Sequence, residues 1–140
     1  MSDPSAKKPL LSEADMTAPS LNYAVELQLL AAQVGFDWPD IKGVIDKINE
    51  ELLEVIAEID TPDNTTRLKD EIGDLLFACT NLARHLNIDP EQALQGGNQK
   101  FFNRFTRLEQ LADKDRRSLQ EYNLEQLDQL WHQVKQESDY

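Results

Sequence analysis

Beyond residue 20, apolar positions recur at alternating steps of three and four, and no segment alternates convincingly at every second position. The first pattern belongs to a helix of 3.6 residues per turn and the second to a half-buried strand, so the chain predicts an all-α fold of four to five helices. Leu21, Val25, Leu29 and Ala32 share a face of a first helix from Ser20, the expected cap, to about Val34, where Gly35 ends it. Asp37 then stands as a cap and Pro39 as a first-turn residue of a second helix. In that helix Ile41, Ile45, Ile48, Leu52, Val55 and Ile59 form one long stripe expected to face the core. Thr61-Pro62-Asp63-Asn64 closes it. A third helix over 65–86 carries Leu68, Ile72, Leu75, Leu76, Cys79, Ala83 and Leu86, and stops at Asn87. Asp89-Pro90-Glu91 opens a fourth with Leu94, Phe101, Phe105 and Leu108 on its apolar face, and Gly96-Gly97 is expected to interrupt it, at roughly 2 kcal/mol relative to two alanines. Asn123 and Gln126 have capping-box spacing before a short fifth helix with Leu124, Leu127, Leu130, Trp131 and Val134. Residues 1–19, rich in Ser, Pro, Lys, Asp and Ala, read as a flexible tail, which leaves one domain over 20–140.

Charge sharpens this picture. Among 140 residues, 26 are acidic and 14 basic, a formal charge of −12 that repels a bare phosphate backbone and argues against nucleic acid as a partner. The excess is segregated: residues 45–74 hold ten acids and three bases, whereas 98–117 hold six bases and three acids. One cysteine, Cys79, allows neither an internal disulfide nor a thiolate metal site, and no apolar run approaches a membrane span. A cytoplasmic protein without a membrane partner is expected.

Two acidic pairs carry the chemistry. Glu51 and Glu54 on the second helix, and Glu71 and Asp74 on the third, are each spaced i,i+3, about 60° apart on a helical wheel. Measured from Leu52 and Ile72 as stripe centres, the two pairs fall at the same angles, flanking the expected seam. An antiparallel pairing of these helices would project four carboxylates into one cleft, where their repulsion calls for a hard divalent cation, Mg²⁺ or Mn²⁺. The alternative is a solvated acidic face, the ordinary fate of such residues. Glu50 and Glu58 sit where solvent, a neighbouring subunit or indirect support of the cluster are all open. Neither His85 nor His132 follows a glutamate by three residues, which disfavours a di-iron bundle, and no glycine-rich phosphate loop is present. Lys100, Arg104 and Arg107 line one side of the fourth helix as a basic strip, suited to phosphate or to pairing with Glu109 and Asp113. Trp38 and Phe36 suit core or interface packing, and Phe77, pointing away from its helix's seam, suits burial against another subunit.

The run Lys47-Ile48-Asn49-Glu50-Glu51-Leu52-Leu53-Glu54, followed after a spacer of sixteen residues by Glu71-Ile72-Gly73-Asp74, resembles the acidic signature of MazG-type nucleoside triphosphate pyrophosphohydrolases. The resemblance continues through Asn81-Leu82-Ala83-Arg84-His85, Asn98, Lys100-Phe101 and Arg104-Phe105 to Leu130-Trp131 and Val134-Lys135, covering most of 21–138. It implies hydrolysis of a nucleoside triphosphate to monophosphate and pyrophosphate, for nucleotide-pool housekeeping, on an all-α scaffold that forms homodimers or larger homo-oligomers. It also implies Glu51, Glu54, Glu71 and Asp74 as catalytic metal ligands, Lys100 and Arg104 as phosphate contacts, Asn98 as a further polar contact and Trp131 as a nucleotide contact. The chain corresponds best to the C-terminal domain of tandem relatives. With one acidic signature and a glycine pair at 96–97, a non-catalytic helical dimer that binds nucleotide or metal for regulation is the alternative reading. Which of Glu51 and Glu54 would take a proton from water stays open at this level.

Overall fold

The computed structural model describes residues 7–137. Five α-helices follow one another: α1 (Ser20–Gln33), α2 (Ile41–Glu58), α3 (Thr65–His85), α4 (Pro90–Lys114) and α5 (Leu124–Glu137), with 3₁₀ turns at Leu10–Glu13 and Leu119–Glu121. Among the described residues there is no strand, so the expected all-α class holds.

The stops are local chemistry. Gly35, at φ 88°, ends α1 while the Phe36 N–H donates to Ala31 O at 3.1 Å, a left-handed closure that glycine adopts without steric cost. Asn87 does the same after α3 at φ 58°. Asn64 holds the α2–α3 corner: its Nδ2 donates to the carbonyls of Glu58 and Ile59, both at 2.8 Å, satisfying the last turn of α2. The capping box of α5 forms as expected, with the Asn123 N–H donating to Gln126 Oε1 at 3.0 Å and the Gln126 N–H to Asn123 Oδ1 at 2.8 Å.

Three local expectations change. Pro19, not Ser20, occupies the cap of α1, and no side chain bonds the helix end there. At α2 the cap is Asp40, whose Oδ1 accepts from the N–H groups of Lys42 and Gly43; Asp37 is engaged elsewhere. The helix α4 runs through Gly96 and Gly97 without a break, the buried contacts of Leu108, Leu111 and Ala112 lying further along the same helix. Of the segment expected to be a tail, residues 1–6 lie outside the described residues. Its later part forms the Leu10–Glu13 turn beside α1, with Ala14 buried and the Asp15 N–H donating to Glu26 Oε2 at 3.0 Å.

The chain divides into two compact units, one up to Glu91 and one from Gln92. In the first, α3 is the common support, packing against α2 and α1. In the second, Leu108, Leu111 and Val134 form a small core covered by Leu119, Leu127, Leu130 and Trp131. Phe101 stacks with Phe105 at 6.0 Å between ring centroids and leans on Trp131 at 5.6 Å.

The largest departure concerns which stripe of α2 is inside. Leu52 and Ile72, expected at the centres of the buried seam, are 44% and 45% exposed. Ile41, Ile45, Ile56 and Ile59 on α2 and Leu76 on α3 are exposed with them. The inward face of α2 keeps Ile48 and Val55 of the expected stripe but runs through Val44, Glu51 and Glu58, an equally regular three-and-four series that contains two carboxylates. Periodicity favours the more apolar stripe as the core. Here the less apolar one packs on the chain's own helices, and the other is left as a continuous apolar face.

Candidate functional site

On that inward face Glu51 is only 5% exposed. Burying a carboxylate is costly unless it finds partners, and Glu51 finds one through Oε1, which receives Lys47 Nζ at 3.0 Å one turn earlier. Its Oε2 is buried with no hydrogen-bond partner. From α3, Glu71 presents a second buried oxygen, Oε2, in the same condition. One oxygen each from Glu51, Glu71 and Asp74 lie within 4.8 Å of one another. Three acidic groups therefore converge from two helices, as the paired i,i+3 spacing predicts, although the seam runs through Glu51 rather than beside it.

Glu54 joins the group from the solvent side. Its hydrogen bond with the Glu71 carboxyl and the negative charges of Glu51 and Glu71 push its pKa up from 4.5 to about 7. A carboxylate cluster that retains a proton near neutrality is short of positive charge. Two buried oxygens without donors and an all-oxygen donor set fit a hard divalent cation such as Mg²⁺, which accepts carboxylate oxygens directly. The sign of the pH effect follows from the raised pKa. In metal-free protein, Glu54 favours the native state most below about 4.5, and the contribution is lost as pH rises through about 7. Thermal unfolding in chelator should show wild type losing stability relative to Glu54→Gln across that window, and a wild-type-minus-variant difference that stays flat with pH would contradict the coupling. Asp37 acts in the opposite sense and in a separate window. Arg84 and His85 hold its pKa near 2, so its contribution is present above 3.8 and lost on acidification.

Asp37 is one of the residues that sequence reasoning placed elsewhere. Its Oδ1 accepts from Arg84 Nη2 at 2.7 Å and faces His85 Nε2 at 2.9 Å, tying the α1–α2 connection to the end of α3. Arg84 is also bound to Asn81 Oδ1 at 2.7 Å. Asp37, Asn81 and Arg84 line a cavity of about 720 Å³ together with Gln28, Phe36, Trp38, Lys47, Phe77, Glu51 and Asp74. A volume of that order suits a small-molecule ligand. Phe77, expected to be buried against another subunit, lines this cavity and is partly exposed. Trp38 lies directly on α2 because Gly43 has no side chain; a Cβ there would stand 2.8 Å from the indole Cε3.

The remaining expected residues are in the second unit. Asn98 and Lys100 are exposed on α4, and Arg104 is half-buried. Arg107 is taken out of the basic strip by Glu137 on α5, Nε to Oε2 at 2.9 Å, rather than by Glu109 or Asp113. Trp131 belongs to the packing of α4 against α5. Glu58 is paired with Arg67 at 2.7 Å, and Glu50 is an exposed partner of Lys47. Lys47, Gln28, Asn81 and Arg84 were not read as site residues. Lys47, Asn81 and Arg84 stand in the runs that carry the family resemblance, and Lys47 also has i,i+4 spacing to Glu51; Gln28 has no such signal.

Comparison with known proteins now bears on this geometry. The family model described as a MazG nucleotide pyrophosphohydrolase domain matches residues 40–107, which include all four converging carboxylates. The chain carries a MazG domain. A nucleoside triphosphate pyrophosphohydrolase/pyrophosphatase MazG of Thermotoga maritima is 43% identical over 92% of this chain, and a nucleoside triphosphate pyrophosphohydrolase of Escherichia coli is 38% identical over 94%. The chain spans about half the length of these curated relatives, 49% and 51% respectively. Within the MazG domain, the match covers α2, α3 and most of α4, and leaves α1, with its share of the cavity wall, outside. Among the described residues, no helix is long and apolar enough to cross a membrane.

Proposed function

We propose that this MazG domain hydrolyses nucleoside triphosphates to nucleoside monophosphate and pyrophosphate, with Mg²⁺ or Mn²⁺ held by Glu51, Glu71, Asp74 and Glu54, in housekeeping of the nucleotide pool. The observation that carries this reading is the convergence of Glu51, Glu71 and Asp74 within 4.8 Å, two of them bearing buried oxygens that no donor of the chain satisfies. The names of the relatives, nucleoside triphosphate pyrophosphohydrolases, supply the reaction class. A divalent cation held by these carboxylates would offset the charge of a polyphosphate and supply Lewis-acid assistance to the attack of water on phosphorus.

The chain's own residues do the rest. The rigid α2–α3 pair fixes the carboxylates relative to one another, which removes the cost of gathering them during reaction. Lys47 holds Glu51 through one oxygen, and the other is buried without a hydrogen-bond partner. Glu51 and Glu54 are the two carboxyls assigned to take the proton of the attacking water, with Glu54 standing at the exposed edge of the cluster. The cavity that Glu51 and Asp74 share with Trp38 and Phe36 offers the nucleoside an apolar, aromatic wall. Lys100, Arg104 and Asn98 are assigned to the polyphosphate and Trp131 to the nucleotide.

A homodimer or larger homo-oligomer is part of the proposal. Ile45, Leu52, Ile56, Ile59, Ile72 and Leu76 present an apolar surface that a lone chain leaves in water.

The test is a panel of ribo- and deoxynucleoside triphosphates with Mg²⁺, assayed for pyrophosphate. Release that stops on chelation is expected. Binding without turnover would favour the regulatory reading, and neither binding nor turnover would remove both.

A further inference from the structure

We propose that Gln28 reads the nucleobase, its Oε1 accepting a hydrogen bond from an exocyclic amino group, so that the site favours amino-bearing bases over bases with ring N–H and carbonyl groups alone. The inference deepens the pyrophosphohydrolase reading and rests on it.

Gln28 stands mid-helix in α1 between Leu27 and Leu29 and is 7% exposed, an unusual place for an uncharged amide. Its orientation is fixed by its neighbours on α3. The Thr80 hydroxyl donates its single proton to Phe77 O at 2.6 Å, so whatever else approaches Thr80 Oγ1 must be a donor. Gln28 Nε2 does so at 3.2 Å, and the same nitrogen donates to Phe77 O at 3.1 Å. Turning the amide over would set Oε1 against two acceptors, so both N–H groups stay on α3 and Oε1 is left on the other side. There it is buried and has no partner.

Gln28 lines the cavity that Glu51 and Asp74 also line, so the residue that bears this acceptor and the carboxylates border one volume. A polyphosphate at the acidic cluster places the nucleoside toward the remaining walls, which are Leu27, Ala31, Phe36, Trp38 and Phe77 beside Gln28. An acceptor already buried without a partner selects for a donor, because only a ligand that brings one satisfies it, while a carbonyl oxygen set against it is repelled. Adenine, cytosine and guanine carry an amino group projecting from the ring. Uracil, thymine and hypoxanthine offer only a ring N–H beside a carbonyl oxygen, and that oxygen would be brought up against Oε1.

The experiment compares kcat/KM for three pairs of triphosphates that differ by the amino group alone: adenosine with purine riboside, cytidine with pyrimidin-2-one riboside, and guanosine with inosine. In wild type at least one pair should differ by about tenfold or more in favour of the amino base. Gln28→Leu, which removes the acceptor, should bring that ratio close to one. Thr80→Val, which removes an acceptor that holds the amide, should narrow it, while Thr80→Ser retains it. Wild-type ratios within about twofold for all three pairs would overturn the assignment while leaving the hydrolase reading intact, whether or not the variants fold. Absence of turnover with every triphosphate would overturn the hydrolase reading and this inference with it.

Discussion

Glu51→Gln should lower kcat/KM by about a thousandfold or more and leave the metal-free protein at least as heat-stable as wild type. The two effects share one cause. Glu51 is buried, its Oε2 has no donor, and Glu71 and Asp74 stand within 4.8 Å. Without a cation, the chain holds this carboxylate against both desolvation and like-charge repulsion, and one lysine at 3.0 Å offsets only part of that. An amide of the same shape removes the repulsion. It also removes a charged ligand from the proposed metal site, where losing several kcal/mol of transition-state stabilisation corresponds to roughly 10³ in rate. Steady-state assays, with melting curves in chelator and in Mg²⁺, test both halves. The variant should lose the Mg²⁺-dependent rise in melting temperature. Turnover within tenfold of wild type would remove Glu51 from the site.

The second large effect concerns assembly. Leu52→Glu combined with Leu76→Glu should convert a dimeric or larger species into single chains, read by light scattering at micromolar concentration. Both leucines lie in the apolar face left by α2 and α3, at 44% and 55% exposure, and both are leucines where a monomer would be served by a polar residue. A buried charge without a partner costs several kcal/mol at an interface, enough to dissociate an ordinary one. A wild-type protein that already behaves as a single chain would refute the assignment of this face.

These two cases show what the residues disclose by themselves. The helices were legible because their ends are written locally: Gly35, Asn87 and the Asn123–Gln126 pair act within a few residues. The carboxylate cluster was legible because i,i+3 spacing is a statement about one helix, made twice. The cap of α2 was not, since Asp37 and Asp40 both stand near Pro39 and the choice is made by Arg84, 47 residues away. Nor was the buried face of α2. That helix carries two regular, overlapping stripes, and a stripe that packs on the chain's own helices has the same period as one left exposed. Gln28 was passed over because its significance depends on which way Thr80 spends its proton.

The bare backbone at Gly43 has a consequence of its own. With 2.8 Å between a notional Cβ and the indole of Trp38, one added methyl works as a wedge, tipping the ring off the helix that supports it and toward the space where a base would lie. The width of the cavity beside Trp38 is thereby set by the smallest possible side chain, at a position outside the cavity lining itself, and a change of a few atoms there would alter that width.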